Sequence, residues 1–222
     1  MVRTGDRPNA QAIRLAVAPQ APSSRAVARA ASVLRKGGLV AFPTDTLYAL
    51  GANALDPAAI ERVLTVKGRH HGKPLSVLVP SVEAGAALAA SLPDGAQALM
   101  RAFWPGALTV VVRASAKIPS VLTAATGTVG LRMPAGAVAQ ALLAAFAGPI
   151  IGTSANKTGA ADPADAKTVQ KAIGGQIDLV LDGGRVTLGV PSTVIDCTAE
   201  PARILREGAI SRATLQEKIT LA

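Results

Sequence analysis

Apolar residues fall along the chain in two rhythms. The runs 39–42, 75–79, 108–113, 129–133, 149–153, 179–181, 193–196 and 203–205 are nearly unbroken in Val, Ile and Leu, and Gly, Pro or Asp bounds most of them. That is the pattern of short buried strands. Between them, apolar positions recur every three or four residues. Val27, Ala30, Ala31 and Leu34 share one face of a predicted helix over 24–36, with Ser24 as its cap and Gly37-Gly38 as its stop. Asp56-Pro57 opens a second helix with Ile60, Val63 and Leu64 on its buried side. Further helices are expected from Ser81 to about Ala90, from Pro93-Asp94 to about Trp104, and over 136–146, 165–173 and 211–219. Strands and helices mix without strict alternation, so the expectation is one α/β domain whose twisted mixed sheet is flanked by helices. Residues 1–23, broken by Pro8, Pro19 and Pro22, read as an irregular basic N-terminal extension, and 24–222 as the folded domain. Removing residues 1–20 should then leave the fold intact.

The stretch 39–51, LVAFPTDTLYALG, organises the rest. An apolar strand runs into the polar cluster Thr44-Asp45-Thr46, a common setting for ligand contacts in α/β folds, although an ordinary turn has the same pattern.

Composition narrows the class. Half of the chain is hydrophobic but only 2% is aromatic, so the core is built from Ala, Val, Leu and Ile. No apolar stretch reaches membrane-spanning length, the N-terminus lacks a secretory pattern, and the one cysteine, Cys197, has no internal partner for a disulfide. A cytoplasmic protein is expected, with Cys197 a small buried hydrophobe. Of the net charge of +9, residues 1–36 supply +6, from seven Arg and Lys against Asp6. The basicity is thus concentrated in the N-terminal part, where a solvated tail, an RNA contact and a transit segment are all readings.

Candidate chemistry sits where polar groups follow apolar runs. Lys67 and Arg69 flank Gly68 and can face one polyanion, or simply end a helix. Thr153, Ser154 and Asn156 follow the run 149–153 and can hold phosphate or ribose, or form a turn. Arg132 between Leu131 and Met133, and Arg206 after Ile204-Leu205, are strand-borne arginines that need a carboxylate or a cleft. Together they favour an anionic small molecule over structural ion pairs. Neither standard glycine-rich nucleotide loop is present, His70 and His71 lack metal-ligand spacing, and histidine is too scarce for histidine-base chemistry.

Read in order, Phe42 to Gly51, Lys67-Gly68-Arg69, Lys73-Pro74-Leu75, Trp104 to Thr109, Gly130 to Pro134, Thr153-Ser154-Ala155-Asn156, Asp182-Gly183-Gly184, Pro191 to Val194 and Leu205 to Gly208 resemble the YrdC/Sua5 family of threonylcarbamoyl-AMP synthases, in its short single-domain form. The resemblance covers about residues 25–210. It implies a twisted α/β sheet around a large, positively lined central cavity. The reaction it implies joins L-threonine, bicarbonate and ATP, with Mg²⁺ accompanying ATP. Threonylcarbamoyl-AMP and pyrophosphate form, and a partner transferase complex carries the product onto tRNA as the t6A modification. On the matching positions, Lys67, Arg69 and Arg206 would hold the triphosphate. Thr109, Ser154 and Asn156 would add bonds to ATP, and Thr44, Arg132 and Ser192 would hold threonine. Lys67, Arg69, Ser154 and Asn156 are the expected catalytic set, with no metal-ligand set in the protein. Three positions depart: Leu78 stands where many members carry His, Ala107 replaces a frequent proline, and Asp162 replaces a serine near ATP. The alternatives are an RNA-binding module in tRNA or ribosome maturation and a carbamoyl-AMP-forming paralogue.

Overall fold

The structure, a computed structural model, describes residues 11–68 and 74–222. Two sheets form its frame. The first has the order β1-β9-β2-β3-β8, comprising β1 (Ile13–Ala16), β2 (Val40–Pro43), β3 (Tyr48–Gly51), β8 (Thr153–Ser154) and β9 (Leu179–Asp182). The second has the order β11-β10-β5-β6-β4-β7. It comprises β4 (Ser76–Leu78), β5 (Leu108–Arg113), β6 (Thr128–Arg132), β7 (Ile150–Ile151), β10 (Thr193–Asp196) and β11 (Arg203–Arg206). Both mix parallel and antiparallel pairs: β9 is parallel to β1 and β2, and β5 is parallel to β10 but antiparallel to β6.

The α/β class holds, but the single expected sheet is divided in two. The division falls inside the run 149–153, which breaks into β7 and β8. Between them the Gly152 amide donates to the Ser76 carbonyl at 2.8 Å. A Cβ on Gly152 would lie 2.4 Å from Leu78 Cγ, so only a residue without a side chain passes here. At Gly152 the chain leaves one sheet and enters the other.

Alternation explains why the apolar runs are continuous. In β2, Ala41 points into the larger core with Ile60 and Val63 of α2 (Pro57–Lys67) and Val169 of α6 (Ala166–Ile173). Val40 and Phe42 point the other way, onto α1 (Ser24–Arg35) and α5 (Ala137–Phe146). A strand covered on both faces cannot show a polar alternate. In β5 and β6 the larger core takes Leu108, Val110, Val112, Val129 and Leu131, leaving Thr109 and Arg132 on the opposite face. The caps follow the sequence at Asp56, Ser81, Asp165 and Ser211, whose side chains accept backbone amides of α2, α3 (Val82–Ala86), α6 and α7 (Arg212–Gln216). At α1 the cap position is Ser23, not Ser24, and no side-chain bond closes it. The helix after Ser81 ends at Ala86, earlier than expected, whereas α4 (Asp94–Phe103) keeps its expected span.

The irregular N-terminal extension is corrected over part of its length. Residues Ile13–Ala16 form β1, in parallel register with β9 from Ile13·Leu179 to Ala16·Asp182. Arg14 pairs with Asp182, Ala12 and Val17 are buried, and Gln170 donates to the Ala12 carbonyl at 2.9 Å. Deleting residues 1–17 is therefore expected to destabilise the protein by ~2–3 kcal/mol, a fall of about 5–10 °C in melting temperature for a chain of this size. An unchanged melting curve would show that β1 contributes nothing. Among the described residues no helix is long and apolar enough to cross a membrane.

Candidate functional site

A cavity of about 270 Å³ lies between the two sheets, beside the Gly152 crossing. Its wall includes Thr44, Ser76, Leu78, Thr109, Arg132, Ser154, Asp162, Ser192 and Arg206. Strand register gathers several of these. Leu78 is opposite Arg132, and Thr109, Val194 and Arg206 lie side by side across three strands.

Arg132 is 6% exposed, and three of its donors are fixed. Nε donates to the Gly106 carbonyl at 2.9 Å, Nη1 to Thr46 Oγ1 at 2.8 Å and Nη2 to Asp45 Oδ1 at 2.7 Å. Burial lowers the guanidinium pKa; Asp45 opposes that shift and Arg206 adds to it. The carboxylate that a strand-borne arginine requires is thus Asp45, in the cluster 44–46. Thr44 holds that turn: its hydroxyl donates to the Leu47 carbonyl at 2.7 Å and accepts from the Thr46 and Leu47 amides.

Arg206 stands at the rim on β11. Its Nη2 donates to the Ser192 carbonyl at 2.8 Å, and the Ser192 and Thr109 hydroxyls are 2.9 Å apart. Burial lowers the Arg206 pKa and Asp162 opposes it. The turn after Arg206 is pinned by Thr193, whose hydroxyl donates to the Ile210 carbonyl at 2.6 Å and accepts from the Gly208 and Ile210 amides, each at 3.0 Å. A Cβ on Gly208 would lie 2.3 Å from the Pro191 carbonyl oxygen. Gly208→Ala must push this turn off Ser192, and a loss of ~1–3 kcal/mol is expected. Thermal unfolding indistinguishable from wild type would refute it.

Lys67 closes α2, followed by Gly68 in the left-handed region, φ 61°. It is 2% exposed. Its Nζ donates to the Ser154 carbonyl at 2.6 Å, to Asn156 Oδ1 at 2.8 Å and to Ser154 Oγ at 3.3 Å. Asn156 Nδ2 donates to the Ala160 and Ala161 carbonyls, which fixes the amide orientation. Lys67 is therefore both a helix end and a ligand of the 154–156 segment. Lys67 and Asn156 sit behind the Ser154 wall, not on the cavity lining, and Arg69 lies outside the described residues together with His70, His71 and Lys73.

The structure brings Thr44, Thr109, Arg132, Ser154, Ser192 and Arg206 to one cavity. It adds Ser76 and Tyr48, for which the sequence held no separate signal, and Asp162, the one carboxylate on the wall among the described residues. Tyr48 is locked: its hydroxyl donates to the Gly184 carbonyl at 2.7 Å, and burial with Asp182 nearby raises its pKa. Cys197 belongs to the core, its thiol pushed up to about 12 by burial with Asp196 adding, which suits packing and not nucleophilic attack. Two guanidinium groups and several hydroxyls on a wall with a single carboxylate among the described residues make an anion-binding cleft that fixes geometry without a proton-transfer base.

A family model described as "Telomere recombination", for the Sua5, YciO and YrdC proteins, matches residues 32–208. A Pyrococcus abyssi protein named threonylcarbamoyl-AMP synthase is 42% identical over 190 residues, covering 86% of this chain and 56% of that protein. A Bacillus subtilis protein of the same name is 38% identical over 195 residues, covering 87% and 56% respectively. The chain thus spans little more than half of these relatives. A crystal structure of P. abyssi Sua5 complexed with L-threonine superposes with a TM-score of 0.91 at 38% identity, over 95% of this chain and 62% of that one.

Proposed function

Because the chain belongs to the Sua5/YciO/YrdC family, we propose that its cavity forms threonylcarbamoyl-AMP from L-threonine, bicarbonate and ATP. The observation that carries the reading is the pair Arg132 and Arg206 on one cavity wall, the first already joined to a carboxylate and the second bonded to none among the described residues.

Each group then has a task. Arg132, its guanidinium held from three sides, takes the threonine carboxylate, with Thr44 and Ser192 beside it. Arg206 at the rim, with Arg69, takes the triphosphate beside Thr109 and Ser154, while Lys67 and Asn156 hold Ser154 in place from behind the wall. As the bicarbonate hydroxyl leaves as water with one amine proton and a second proton passes to solvent, the threonine ammonium group and bicarbonate form the C–N bond of the N-carboxylate. Its oxygen attacks the α-phosphorus as the bond to the pyrophosphate oxygen breaks, and the charge leaves with pyrophosphate. No protein group need carry a proton in that step, so positioning and fixed positive charge supply the catalysis. Among the described residues no three His, Cys, Asp or Glu gather as a metal-holding group. Mg²⁺ is taken to accompany ATP as a partner of its phosphates. The product serves t6A formation on tRNA by a separate transferase complex, which makes this a cytoplasmic reaction.

The test is pyrophosphate release from Mg·ATP with threonine and bicarbonate omitted in turn. Release that requires both supports the synthase. Release without threonine points to a carbamoyl-AMP former. No release, with no ATP binding by calorimetry, leaves an RNA-binding module.

A further inference from the structure

We propose that Asp45 is a positioning residue for threonine: acting through Arg132, it sets which face of the guanidinium the substrate meets. The inference rests on the assignment of the threonine carboxylate to Arg132. Asp45 does not line the substrate cavity; it faces a separate cavity of about 380 Å³ beside Gly106 and Gly136. Its Oδ1 accepts from Arg132 Nη2 at 2.7 Å and from the Ala135 amide at 3.1 Å. Its own carbonyl accepts the Leu188 amide at 3.0 Å, and the Thr46 carbonyl accepts Gly189 at 3.1 Å. One residue thus ties together the 44–46 turn, the end of β6 and the segment that leads to Ser192.

The consequence lies in the donors left over. A guanidinium has five N–H groups, and Gly106, Thr46 and Asp45 take one each. Among the described residues, one N–H on each Nη stays unclaimed, so two charged donors remain for a substrate carboxylate. Asp45 also offsets the charge of Arg132, while Arg206 bonds to no carboxylate among the described residues and repels Arg132 across the cavity. The two arginines are therefore unequal: one neutralised and aimed, suited to a monovalent carboxylate, the other open to polyphosphate. Without the Asp45 charge, Arg132 loses both its aim and its difference from Arg206.

The experiment is Asp45→Asn, measured by threonine calorimetry and by separate KM values for threonine and ATP in pyrophosphate release. The KM for threonine is expected to rise at least tenfold while that for ATP changes less than threefold, and Asp45→Glu should recover part of the loss. A mere loss of stability would not split the two substrates. The second arm compares Arg132→Gln with Arg132→Gln/Asp45→Asn, a neutral pair that serves even where Asp45→Asn alone does not fold. Because Asp45 acts through Arg132, the second change should cost less than threefold there. Unchanged threonine affinity in Asp45→Asn, or a full tenfold cost in the Gln background, overturns the inference alone. Wild-type protein that binds no threonine overturns the assignment of Arg132 and this inference with it.

Discussion

Arg132→Leu is expected to lower kcat/KM for threonine about a hundredfold and the melting temperature by about 10 °C or more. The first figure reflects the loss of charged hydrogen bonds to the threonine carboxylate worth ~3 kcal/mol. The second follows from what remains behind. Asp45 and Arg132 have side chains only 13% and 7% exposed, so leucine leaves an unpaired, nearly buried carboxylate. Breaking such a pair costs ~3–5 kcal/mol, or ~2–4 °C per kcal/mol in a chain of this length. The double change Arg132→Leu/Asp45→Leu removes the stranded charge, so it should regain most of the stability and none of the activity. A single variant as stable as wild type would refute the energetic argument. A double variant with normal threonine kinetics would refute the assignment of Arg132.

The second large effect is expected at the phosphate side. Arg206→Gln should lower the rate of pyrophosphate release by a factor of about 10²–10³, the usual cost of removing one donor from developing oxyanion charge, and Lys67→Met should do the same by releasing the Ser154 wall that it holds. They should differ in stability. Lys67 is buried against the Ser154 carbonyl and Asn156 Oδ1, and its loss takes the charged donor from both, leaving the first with the Asn156 backbone amide and the second with the Ser154 hydroxyl, at ~1–3 kcal/mol. Arg206 sits at the rim, and its variant should melt within about 2 °C of wild type. Near-normal turnover in both would remove the triphosphate from this part of the cavity. Equal stability losses would show that Arg206 is as structural as Lys67.

The cavity residues that were legible in the sequence share one property: each interrupts an apolar strand or directly adjoins one. Arg132 between Leu131 and Met133 cannot face the core, so strand parity alone sends it to the opposite face. Ser154 and Asn156 follow β7 in the same way. Asp45 was visible as part of a polar cluster, but its partner is 87 residues away, and no local pattern encodes that meeting. The strand β1 was illegible for a related reason. Its residues are mostly exposed, Ile13 at 46%, and it is ordered by pairing with β9 and by Asp182, not by a buried face of its own. The split of the sheet was hidden too, because the break at Gly152 depends on the Leu78 side chain against it, and a sequence displays the glycine but not its neighbour.

That break has a mechanical meaning. Ser154 belongs to one sheet and Arg206 to the other, and near the cavity the backbone joins the two through a residue with no side chain. A ligand that reaches from Ser154 to Arg206 becomes a cross-brace between two plates. Its binding energy then stiffens strands that it never touches. Amide hydrogen exchange should slow in β1, which meets no ligand and lies at the far end of the frame from Arg206, as well as in β11, once both substrates are bound.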